Sequence, residues 1–179
     1  MACSAWEPLP IKLFNDAEAS SLVVSQAKTE AAWLLKAAYF EIHWIPCQVI
    51  TVSNLLTCEG PALAIEFHIL ASTSSSDLTK NSMGIAFPNS AASRAAVFLS
   101  RVRQLVAANA GIIDEGGLLG HVMAHEIGHL LLHSTNHSNE GLMRAEFNQG
   151  DLRKAAQRQL KFTNDQIQAI RRNFIARSN

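Results

Sequence analysis

Three patterns in this 179-residue chain predict an α/β domain: a long helical stretch near the start, short period-two apolar runs in the middle, and an apolar helix followed by a last amphipathic one. Hydrophobic residues make up 48% of the chain, enough for one well-buried core, and the length is too short for two generous domains. The expected unit is a single α/β (α+β) domain over 1–179. In it a small mixed, twisted sheet packs against a long N-terminal helix, a central helix and a C-terminal helix.

Residues 1–15 read as a loose N-terminal segment. From Asp16 to about Phe40, Leu22, Ala27, Ala31, Leu34, Leu35 and Ala38 fall on or near one helical face. Ile42 to Thr51 and Ala62 to Ala71 read as strands, the second alternating Leu63, Ile65, Phe67 and Ile69 with smaller or polar neighbours. Ser72 to Ser76 form a polar loop. Met83 to Phe87 is a short strand stopped by Pro88 and a candidate sheet edge, and Ala95 to Leu99 is another strand. Val102 to Ala110 reads as helical. Gly116 and Gly117 punctuate the chain before the apolar positions of a helix that must be largely buried, among them Leu118, Val122, Ile127 and Leu131. Thr163 with Gln166 forms a capping box for the last helix, which runs through Ile167, Ile170 and Phe174.

Fifteen basic and fifteen acidic residues cancel, which argues against nucleic acid or an anionic membrane as principal partner. No run of about eighteen uncharged apolar residues occurs, so no membrane insertion is expected. Met1 to Pro10 lack a basic region followed by an apolar core, so no signal peptide is expected in this chain. Cys3, Cys47 and Cys58 allow one disulfide and leave one thiol over. A Ser/Asn/Thr-bearing segment separates Cys47 from Cys58 and suits a loop, while three reduced thiols would suit a cytoplasmic protein.

The chemistry is concentrated at His125-Glu126-Ile127-Gly128-His129. At about 3.6 residues per turn, positions i and i+4 leave nearly the same helix face, so both imidazoles reach one ion. Glu126 points about 100° away from His125, outside the ligand pair but placed to take a proton from an activated water. Burying such polar groups in an apolar helix is costly without partners, and metal ligation satisfies two neutral imidazoles there.

A catalytic zinc site wants three protein ligands and an open position. His121, His125, His129 and His133 form a ladder at four-residue steps, but on a continuous helix His133 lies about 12 Å along the axis from His125, too far to converge on one ion. The third ligand must come from a chain that turns back. Ser134, Thr135 and Asn136 favour helix exit and His137 follows, so His125, His129 and His137 are the expected ligands. His121 and His133 are expected at the rim or behind the ligands, His133 supporting a ligand or bonding substrate.

HEIGHLLLH, then HSNEGLMRAEF, then LKFTNDQIQAIRRNF resemble the metzincin zinc peptidases, in particular a small bacterial metzincin-like group with a longer loop between the second and third histidines. The resemblance covers roughly the last third of the chain. It implies a metzincin-like catalytic domain with one Zn2+ held by His125, His129 and His137, Glu126 as general base, and Met143 as the methionine of the turn beneath the metal. It also implies a Cys47–Cys58 bridge and a secreted or periplasmic protein acting on peptides or proteins. Two departures stand out: His133 occupies the place of the family's glycine, and the span from His129 to His137 exceeds the usual motif. Some metzincins use a tyrosine after the methionine, whereas the one tyrosine here is Tyr39.

Two further readings carry different expectations. HEIGHLLLH is also similar to cytosolic regulatory peptidases whose third ligand is a downstream glutamate, here Glu140 or Glu146. In a non-catalytic, zinc-stabilised binding module, His133 would take the fourth position.

Overall fold

The computed structural model describes residues 7–50, 55–58, 61, 64–73, 82–88, 90 and 93–178. Cys3, Thr51, Ala62, Leu63 and Ser74 to Ser76, which figure in the expectations above, lie outside them.

The chain enters the sheet at once. Glu7–Phe14 is strand β1, which corrects the expected loose segment 1–15 over these residues. Its buried positions Leu9, Ile11 and Leu13 alternate with Pro8, Pro10 and Lys12, which are more exposed. The prolines disguise the strand because they cannot donate to a ladder. They are tolerated here because the pairing with β4 begins only at Ile11, whereas β2 flanks the whole of β1.

Helix α1 spans Ser21–Lys36, shorter than the predicted Asp16–Phe40 stretch. Its start is delayed by side chains that compete for the backbone: Asn15 Oδ1 accepts from the Ala19 N–H at 3.0 Å, and Asp16 pairs with His68 at 2.7 Å. Ser20 then caps the helix by accepting from the Val23 N–H. Strand β2 (Phe40–Ile50) returns parallel to β1, completing a β-α-β unit, and β3 (Leu55–Thr57) folds back antiparallel to it. Cys47 and Cys58 are bonded across that hairpin, with Cα atoms 4.9 Å apart.

Strand β4 (Ile65–Leu70) shows the predicted alternation, with Ile65, Phe67 and Ile69 buried. β5 (Gly84–Phe87) and β6 (Arg94–Phe98) pair antiparallel, and α2 (Leu99–Ala108) follows. The strand order is β3-β2-β1-β4-β6-β5, with β2, β1, β4 and β6 mutually parallel and β3 and β5 antiparallel at the ends.

Helix α3 (Glu115–Leu132) is the centre of the molecule. It packs against α1, α2, α4 and α5 and against β5 and β6, and every residue from Leu118 to Leu131 is buried. Asp114 caps it by accepting from the Gly117 N–H at 2.7 Å. α4 (Gln149–Ala156) was not anticipated; Asn148 and Asp151 bond each other's backbone N–H in a capping box that starts it. α5 (Asn164–Ser178) begins at the predicted Thr163/Gln166 box. Among the described residues no helix is long and apolar enough to cross a membrane.

Candidate metal centre

The apolar stripe of α3 carries His125 and His129 inward with 7% and 4% exposure, and their ring tautomers follow from what Nδ1 meets. His125 Nδ1–H donates to the Leu142 carbonyl at 2.7 Å, and His129 Nδ1–H donates to the Ser134 carbonyl at 2.8 Å. Each neutral ring therefore keeps its lone pair on Nε2. The two Nε2 atoms are 3.0 Å apart, and His137 Nε2 lies 3.3 Å from that of His129. Lone pairs aimed at one another at this range repel unless a cation lies between them.

The spacing fits zinc. With Zn–N bonds of about 2.0–2.1 Å, neighbouring donors of a tetrahedral site stand about 3.3 Å apart. His125, His129 and His137 form the one group of metal-ligating side chains of this kind among the described residues. Burial lowers the pKa of all three imidazoles, pushing His125 down to about 3 with help from the neighbouring His129 charge. They are thus neutral, as ligands must be, at ordinary pH.

His137 comes from a chain that leaves the helix and turns back. α3 stops at His133, which adopts the left-handed conformation (φ 50°) that glycine supplies more readily, and the Ser134 N–H closes the end on the His129 carbonyl at 3.2 Å. His133 lies outside the three-histidine group; its Nδ1 donates to the carbonyl of Pro88, just past β5, at 3.3 Å. Glu140 and Glu146 lie outside that group as well, so the glutamate ligand is not what the geometry assembles. His121 corrects an expectation. It is fully buried, its Nδ1 donates to the Gly117 carbonyl at 3.0 Å, and it lines a separate cavity with Glu30 and Arg158. Each four-residue step turns a helix by about 40°, so the ladder drifts off the ligand face.

Glu126 is 6% exposed and lies at a cleft of about 360 Å³ that it shares with the three histidines and with Gly84, Ile85 and Ala86 of β5. Burial pushes its carboxyl up to about 8. Met143 is buried, its Sδ where a β-carbon on Gly128 would stand 2.7 Å away, and its carbonyl accepts from the Ser138 N–H at 2.8 Å.

In this arrangement of elements the chain is similar to archaemetzincin. The comparison is with the crystal structure of the Methanopyrus kandleri protein, at a TM-score of 0.59 over 93% of this chain and 96% of that one, with 11% sequence identity. At that identity the likeness to archaemetzincin is one of fold. No protein-family model matches the chain, and no curated protein matches it in sequence.

Two neighbours of the site escaped sequence reasoning. Gly84 lies against Glu126, 42 residues later in the chain, and Gln166 reaches the loop after His137. The first left no local signal. The second was visible as a capping residue only.

Proposed function

We propose that this protein is a zinc-dependent peptidase, and that His125, His129 and His137 hold one Zn2+. The observation that carries this reading is the convergence of the Nε2 atoms, with two tautomers fixed by carbonyl acceptors on the far side of the rings. When bound, zinc supplies Lewis acidity, polarising a carbonyl and acidifying water.

The chain's own residues account for the rest. Glu126 takes the proton of the attacking water and returns it to the leaving amine, from a position in the cleft beside the three histidines. The apolar wall around it, with Val122 and Phe147, limits bulk water and strengthens the interactions within. β5, terminal in the sheet and lining the cleft, offers main-chain hydrogen bonds to an extended peptide. Met143 is the turn methionine, a packed floor under Gly128 and the ligand helix. The Cys47–Cys58 bond supports a secreted or periplasmic setting, since disulfides persist in oxidising compartments.

The test pairs metal analysis with hydrolysis of a panel of unfolded proteins, with and without a chelator. One zinc per chain and chelator-sensitive cleavage are expected. Glu126→Gln is expected to keep the zinc and lose roughly 10²- to 10⁴-fold in turnover. Retained turnover in that variant would remove Glu126 as the base, and a wild-type chain without zinc would end the reading.

A further inference from the structure

The segment that delivers the third histidine is held by α5, a different element from the helix that carries the other two. Gln166 is 9% exposed and engages every polar atom of its amide. Its Oε1 accepts from the Thr163 N–H at 3.0 Å, and its Nε2 donates to Ser138 Oγ at 2.8 Å and to the Glu140 carbonyl at 3.0 Å. Ser138 Oγ donates to the same carbonyl at 2.7 Å, and the Ser138 N–H donates to Met143. His137 immediately precedes this knot and is itself exposed. Holding such a side chain in place costs conformational entropy unless the backbone beside it is already fixed.

We infer that Gln166 is a positioning residue for His137. Its amide oxygen caps α5, while its amide nitrogen fixes residues 138–140 and so sets the third imidazole against the other two. The inference rests on the three-histidine reading above. It goes beyond that reading in assigning the ion's affinity partly to a helix cap 29 residues further along the chain.

The two jobs of the side chain are separable. Gln166→Glu retains an oxygen for the Thr163 N–H, as a capping box allows, and removes both donors to the loop. Zinc dissociation constants would be measured by chelator competition for wild type, Gln166→Glu, His137→Ala and the double variant, alongside the thermal midpoint of each metal-free protein. Gln166→Glu is expected to weaken zinc about 10- to 100-fold and to add nothing to the loss of zinc affinity in the His137→Ala background, while any drop in the metal-free midpoint is the same with and without His137. Wild-type affinity in Gln166→Glu would overturn the inference and leave the three-histidine site standing. So would an equal loss with and without His137, since the glutamine would then act by another route. If His137→Ala itself bound zinc as wild type does, the three-histidine site would fall and the inference with it. Should Gln166→Glu not fold, Ser138→Ala, which removes the hydroxyl at the centre of the knot and leaves the cap intact, takes its place in the same cycle with the same outcomes.

Discussion

Gly84 and Glu126 are neighbours across the cleft: a β-carbon built on Gly84 would stand 2.5 Å from Glu126 Oε1 and 2.7 Å from the Ala96 carbonyl. Both distances are shorter than real side chains tolerate, and the carbonyl belongs to the paired strand β6. Gly84→Ala is therefore expected to displace the carboxylate and lower turnover by about 100-fold, the usual consequence of a misplacement near 1 Å. Zinc content should not change. Wild-type kinetics in the variant would mean the carboxylate has room that the structure does not give it.

The stability of the metal-free protein should depend on pH in a defined way. Above 4.5 the unfolded chain releases the Glu126 proton that the fold retains to about 8, so stability falls with rising pH between those values. His125 has the opposite sign: its folded value is near 3 against 6.5 unfolded, so stability rises with pH between them, and His129 and His137 add to that rise. The histidine and Glu126 contributions oppose one another up to about 6.5, and only that of Glu126 remains beyond. Thermal midpoints of the metal-free protein should therefore decline from pH 6.5 towards pH 8. Glu126→Gln should abolish the decline.

Gly128 faces Met143 and Phe162 so closely that an added β-carbon would lie 2.7 Å from Sδ and 2.9 Å from the phenyl ring. Alanine gains about 1 kcal/mol in helix propensity. Overpacking of about 1–3 kcal/mol outweighs that gain. Gly128→Ala is expected to lower the thermal midpoint, and Met143→Ala should cost less in that background than in the wild type, because the truncated side chain leaves room for the new methyl. Thermal denaturation of the wild type, the single variants and the double variant measures both effects.

β5 is the last strand of the sheet, and Ile85 pairs with Ala96 of β6. Ile85→Pro is expected to abolish peptide turnover while sparing zinc content. Unchanged turnover would exclude the strand from substrate binding.

What the sequence revealed was what short-range pattern encodes. The HEIGH helix, the alternation of β4 and the Thr163/Gln166 box each depend on residues a few positions apart, and each lies where it was expected. β1 was hidden because Pro8 and Pro10 argue against a central strand, and only the offset of β4 along it makes room for them. α4 was hidden because eight residues with Leu152 and Ala155 as the buried apolar positions give too little periodicity to register. In the site, His137 could be reached by asking where the chain must turn back. The contacts of Gly84 with Glu126 and of Gln166 with Ser138 join residues 42 and 28 apart, and no local rule anticipates them.

The Cys47–Cys58 bond joins the β2–β3 hairpin, whereas β5 closes the opposite end of the sheet beside the cleft. A crosslink spanning eleven positions lends about 3 kcal/mol, largely by restricting the unfolded chain. Mild reductants would therefore shorten the working lifetime of the protein and leave the speed of each catalytic cycle as it was, so ambient redox conditions would govern durability more than output.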